Sequence, residues 1–331
     1  MYRLEKRCPK LQHLYTYHLQ REEVLNMVYA LPAEIRTIWC ANIRFDNWNE
    51  QMDLNWFTKY RQLETLVVHG ATPFTRVIHG FPADIVQLRQ LRKLSCMECY
   101  GEEFGRPWNF EIIGQLDTLE SLTIGSCDQW RPHEYQQLGK LTRLTHLGVT
   151  RVGNPPAVPF RAPRESSSLE PRLYDYRKYR ECPYTWHPVN ISVPISWPYH
   201  ARSEDELFAA EDHFAIALSN LTSLRHLELS NCNIGHATCH ALATHPTLSH
   251  ATLVFGSPAR LDTHVDVLLQ FARATQSLAY SRCIIPYFIG ADIRPRRTQD
   301  MQRLDHSASA IVCQMLRENP RIHVKLERLE Q

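Results

Sequence analysis

Seventeen histidines and ten cysteines are spread through the 331-residue chain, and some are spaced as chemistry would need. In the run HATCH, His236 and His240 stand four apart, one helical turn, with Cys239 between them and His245 close by. Two histidines so placed can share a metal ion. The glutamate that acts as general base in the H-E-x-x-H arrangement is missing, however. A half-exposed helix explains the pair without function. A cysteine nucleophile needs an activated thiolate beside a base in a cleft. G-x-S-x-G, P-loop and G-x-G-x-x-G patterns are absent from the sequence. The residues therefore predict a chain that is not an enzyme, with no catalytic residue, no metal and no cofactor. The rival reading, a metal-dependent enzyme, would require a tightly held metal.

The elements that would position these side chains come from a recurring apolar pattern. Leu119, Leu122, Ile124 and Cys127 fit L-x-x-L-x-L-x-x-C, and Leu224, Leu227, Leu229 and Cys232 fit it again. Leu91, Leu94, Cys96 and Cys99 match with one small substitution, and Leu63, Leu66, Val68 and Ala71 keep the apolar set. Leu144, Leu147, Val149 and Val152 form a good copy; Ile35, Ile38, Cys40 and Ile43, then Leu11, Leu14, Thr16 and Leu19, are looser. First positions at 11, 35, 63, 91, 119 and 144 differ by 24, 28, 28, 28 and 25 residues. Such periods predict a strand and a backing helix in each unit. Weaker copies follow at 248 and 278, and the tail RIHVKLERL alternates as a closing strand would. Helices are expected over 21–32, 236–246, 264–275 and 307–320, three of them ending at proline.

This spacing resembles the leucine-rich-repeat superfamily, in particular its cysteine-containing, helix-backed subclass familiar from F-box proteins. The resemblance implies an α/β solenoid, a curved parallel sheet with helices on the convex side. It also implies protein binding, as in the substrate-reading half of a ubiquitin-ligase receptor. LPAEI (31–35) looks like the opening of an F-box, but RTIWCANIRFDNWNE does not continue it, so no F-box is read here. The first repeat lacks the polar cap that solenoid ends need, so it is expected to pack on something or to belong to a longer architecture.

The expected organisation is one continuous solenoid: repeats over 1–152, an insertion over 153–206, and repeats with a closing strand over 207–331. The insertion is Pro-rich at first. It then carries Tyr174, Tyr176, Arg177, Tyr179, Tyr184, Trp186 and Trp197, more aromatic than a solvating tail. These residues either fold back over the repeats or form a partner-binding loop.

On each strand, the residues between the buried leucines should point to the concave side. The third positions there include His13, His146, His226 and His250, and the fifth Tyr15, Trp39 and Glu228. Tyr17 and His69 hold seventh positions. Tyr15, Tyr17, Trp39, His69, His146, His226, Glu228 and His250 are the candidate partner contacts. The three later histidines become neighbours only if the insertion adds no strand. Such a row is pH-sensitive, metal-binding, or a solvated face.

A net charge of +2 gives no footprint for nucleic acid or anionic lipid, and no apolar run reaches the roughly 20 residues of a membrane span. Cysteines at apolar positions suit reduced thiols in the cytoplasm or nucleus; a mitochondrial address is left open. Protein partners are expected, nucleic acid and membrane are not. The role expected is a non-catalytic interaction module, with a structural subunit of a larger assembly, such as an organellar complex, as the alternative.

Overall fold

The computed structural model describes residues 4–44, 54–70, 83–97, 110–124, 132–150, 204–230, 232, 234–254, 265–288 and 309–329. Ten strands form one sheet: β1 (His13–Tyr17), β2 (Thr37–Ile43), β3 (Thr65–Gly70), β4 (Lys93–Met97), β5 (Ser121–Ile124), β6 (His146–Thr150), β7 (His226–Ser230), β8 (His250–Val254), β9 (Tyr280–Phe288) and β10 (Ile322–Leu329). Every neighbouring pair is parallel, and the order across the sheet is the order along the chain. The described helices join the inward leucines in one core on one face of the sheet. The other face, called the open face below, carries no described helix.

The register makes the fold. Ile38, Leu66, Leu94, Leu122, Leu147 and Leu227 are successive Cα partners, one rung running across six strands. All six are buried. Fully burying such a side chain contributes about 1.5–3 kcal/mol, so the rung is a main source of cohesion. A repeated backbone bracket fixes it. The Gln12 carbonyl accepts the N–H groups of both Arg36 and Thr37; the Arg36, Glu64, Arg92, Glu120, Thr145 and Arg225 carbonyls each accept a similar pair from the next strand's start. The bracket crosses the long insertion unchanged: Arg225 and His226 donate to Thr145 at 2.9 Å each. β6 and β7 are direct neighbours, so no strand lies between them.

Helices back the sheet unevenly. α1 (Leu4–Arg7), α2 (Arg21–Tyr29), α3 (Phe110–Ile113), α4 (Pro132–Leu138), α5 (Glu204–Asn220), α6 (His236–Thr244) and α7 (Val265–Ala274) are joined by a helical stretch over 309–318. Val24 and Val28 of α2, Phe214 and Leu218 of α5, and Leu268 and Phe271 of α7 join the leucine rung in one core. The expected helix in every unit is not what forms. Among the described residues, short 3₁₀ turns at Leu54–Phe57 and Ala83–Gln87 stand behind β2–β4. ADIVQL offers Ile85 and Leu88 to the core, one turn of apolar spacing and no longer stripe.

Conversely, the 17-residue α5 was not anticipated. It starts at Glu204, inside the stretch assigned to the insertion. Two polar features complete the frame. Asn42 (φ 57°), within β2, lies where the β2–β3 register shifts, and asparagine tolerates that left-handed geometry. At the far end the leucine rung shrinks to Ala251 and Ser281. There the buried Asn319 donates to Ser281 Oγ (3.2 Å) and Thr275 Oγ1 (3.3 Å), and its carbonyl accepts from Arg321 N (3.0 Å). No described helix is long and apolar enough to cross a membrane.

Candidate functional site: a ring column on the open sheet face

Alternation along each strand sends the residues flanking the leucines to the open face. Because β6 pairs directly with β7, His146, His226 and His250 are consecutive register partners, followed by Tyr280. Their rings form a column. His146 and His226 stack with centroids 4.3 Å apart and planes 5° from parallel, and His226 and His250 stack at 4.3 Å and 25°. Tyr280 continues it, tilted, 5.8 Å from His250, and His323 of β10 stacks on Tyr280 at 5.0 Å.

The hydrogen bonds fix two tautomers. Thr145 Oγ1 donates its proton to the Glu120 carbonyl (2.9 Å), so its 2.8 Å contact with His146 Nδ1 requires the ring to donate. Ser249 Oγ likewise donates to the Arg225 carbonyl (3.1 Å) and meets His250 Nδ1 at 2.8 Å. In the neutral rings Nε2 is therefore a bare acceptor. His245 is the opposite case. Its Nδ1 accepts from Leu248 N (3.1 Å) and Thr247 N (3.4 Å), while Nε2 faces the Leu218 carbonyl at 3.2 Å and must donate to it. That ring pins the end of α6 to α5, a structural role for the third histidine of the HATCH region. ¹⁵N chemical shifts are expected to report Nδ1–H for His146 and His250 and Nε2–H for His245 at pH 7.5; the reverse assignment would contradict the bracket geometry.

Burial, and then the Lys93 and His250 charges, pull the His146 pKa below the ordinary histidine value. Burial, followed by His146, His250 and Arg225, does the same to His226. Glu228, two residues along β7 from His226, is pushed up by burial and down by Arg282. Its side chain is nonetheless exposed, so crowding by the sheet acts there without closing it off from water. Gly148 allows the close approach beside it, since a Cβ would meet Thr123 Cγ2 at 2.9 Å.

The predicted residues fall into two groups. Tyr15 and Tyr17 are 67% and 62% exposed at the β1 edge. Tyr15 lies 6.3 Å from Trp39, itself covered by the Lys93 ammonium at 5.1 Å, and His13 Nδ1 meets Thr37 Oγ1 at 3.0 Å. β3–β5 separate this group from the column. His69 belongs to neither: it is partly buried against Ser95 Oγ at 2.9 Å. The face between the groups is less open than expected, since Thr37, Val67 and Ser95 are buried. Tyr174, Tyr176, Arg177, Tyr179, Tyr184, Trp186 and Trp197 lie outside the described residues. Tyr280, Arg282 and His323 were missed. The same repeat phase counted from Leu278 places Tyr280 third and Arg282 fifth.

Parallel stacked imidazoles aim their lone pairs in parallel, whereas metal ligands must converge on one ion. Among the described residues no three His, Cys, Asp or Glu side chains are grouped to hold a metal. The strand cysteines are far from nucleophilic: burial pushes Cys40 up to about 11 and Cys283 up to about 12. A rim depression of about 150 Å³, lined by Glu64, Arg89, Gln90, Arg92, Thr118 and Arg143, falls short of the roughly 300 Å³ typical of a ligand pocket. No protein-family model matches the chain, and no curated protein matches it either.

Proposed function

We propose that the chain is a leucine-rich-repeat array acting as a non-catalytic protein-binding module in the cytoplasm or nucleus, the substrate-reading part of an F-box-like ubiquitin-ligase receptor. The observation that carries the binding role is the open face of the parallel sheet. Its side chains stand in fixed register, and aromatic and histidine groups project from it at both ends. Rigid aromatic anchors on a scaffold that need not reorganise are the features that make interface hot spots. The ligase connection rests on the resemblance of the repeat alone.

The test is capture from the native cell with tagged full chain, a Trp39→Ala/Arg282→Glu variant of the open face, and a His240→Ala control on the exposed side of α6. Wild type and control are expected to retain the same protein partner, together with a ubiquitin-ligase adaptor. The open-face variant should retain at least tenfold less. Equal capture by all three would contradict the reading.

A further inference from the structure

The column of rings presents edges, not faces. Each inner ring is covered on both sides by its neighbours, so their flat surfaces are already used. What remains for a ligand is the hydrogen-bonding edge of each imidazole. In His146 and His250 the Nδ1–H is committed to the preceding hydroxyl, so a second proton must go to Nε2. Protonation therefore turns a bare acceptor, which repels a carboxylate, into a charged donor that binds one.

The surrounding charges favour an acidic ligand. From β4 the Lys93 charge is felt at His146, although its ammonium lies over Trp39; β5 contributes the uncharged Ser121 and Thr123. Arg225 precedes β7 and faces His226, and Glu228 of β7 is offset by Arg282 of β9. Ser249 precedes β8, which contributes Thr252, and from β10 comes His323, with Lys325 two residues on. Among the described outward residues of β6–β9, Glu228 is the acidic side chain; Glu120, which precedes β5 as Arg225 precedes β7, is paired with Arg92 and Arg143.

We propose that the ring column is a proton-gated docking site for a carboxylate-bearing polypeptide segment, whose Asp and Glu side chains are held by the histidine edges and Arg282. The inference rests on the protein-binding reading above and names the partner's chemistry. Burial and mutual repulsion both disfavour protonation of His146 and His226 while the site is empty. A row of carboxylates removes that repulsion, so binding takes up protons and strengthens as pH falls below the ordinary histidine value. Each unit by which the partner raises a ring's pKa is worth up to tenfold in affinity. Nucleic acid is the less suited polyanion: base stacking needs open ring faces, and the chain's net charge is only +2.

Fluorescence anisotropy with full-length protein tests this, using a labelled 20-residue peptide rich in glutamate and its glutamine counterpart at pH 7.5 and 5.5. The peptide carboxylates remain ionised at both values, their pKa being about 4.3. The glutamate peptide is expected to bind at least tenfold tighter at pH 5.5 and the glutamine peptide to show no gain. A His146→Gln/His226→Gln/His250→Gln variant, verified as folded by circular dichroism, should lose the gain. The same gain in that variant, no gain in wild type, or an equal gain for a single-stranded oligonucleotide of matched length would overturn the proposal. Partner capture that depends on the open face but is indifferent to pH would end this inference and leave the protein-binding reading standing.

Discussion

Replacing Leu94 by alanine is expected to lower the unfolding free energy by about 2–5 kcal/mol, the range for deleting a fully buried leucine side chain. Leu94 is wholly buried and sits mid-rung, with Leu66 on one side and Leu122 on the other. Truncation opens a cavity between two strands whose positions the backbone brackets hold, so the site can collapse little. Ser95, next in sequence, points the other way, and its hydroxyl meets His69. Urea unfolding of Leu94→Ala beside Arg89→Ala, an exposed residue, measures the difference. A cost near zero for Leu94→Ala would mean that the rung does not exist.

Acid should weaken the fold through His69. Burial, and secondarily the Lys93 charge, pull its pKa down to about 4 from the ordinary 6.5. A depressed folded value means that the unfolded chain binds the proton more readily. Stability is therefore complete above pH 6.5 and is lost as pH falls from 6.5 through 4. The full loss is on the order of 3 kcal/mol at 1.36 kcal/mol per unit. His69→Gln keeps a polar group for Ser95 and cannot titrate. Between pH 7 and 4 wild type is expected to lose about 3 kcal/mol more than this variant in urea melts at stepped pH. Parallel curves for the two proteins would contradict the assignment. His245 pushes the same way in both, because burial lowers its pKa and protonation would set Nδ1–H against two backbone donors.

How much of this was legible in the sequence follows from where the repeat is regular. Leu66, Leu94 and Leu122 recur at a constant 28-residue interval, and a fixed interval fixes register, so the strands and their inward faces could be read directly. His146, His226 and His250 share one phase of the repeat, and a column was legible from that phase on one condition: that the insertion added no strand. Only the structure supplies that condition, through the bracket from Thr145 to Arg225 and His226. The extension to Tyr280 and His323 was hidden because Ser281 stands where the second leucine belongs and Asn319 fills the space behind it. The register of β10 depends on that tertiary network, which local spacing does not encode. The helix α5 went unread for a related reason. Its buried stripe of Phe214, Ala217 and Leu218 follows a Pro- and Tyr-rich run of opposite character. Burial of Val67 and Ser95 on the supposedly exposed face was equally unreadable, since alternation specifies a side of the sheet and not what covers it.

The central claim is that β6 and β7 lie side by side across the 75 intervening residues, so that the histidines stack. Register partners in a sheet stand about 4.8 Å apart, within the Cα range of a disulfide. In a His146→Cys/His226→Cys variant under mild oxidation, peptide mapping by mass spectrometry should find residues 146 and 226 linked to each other. The exposed Cys8 and Cys313 provide competing thiols. Linkage of either new cysteine to Cys8 or Cys313, or two free thiols at 146 and 226, would contradict the account.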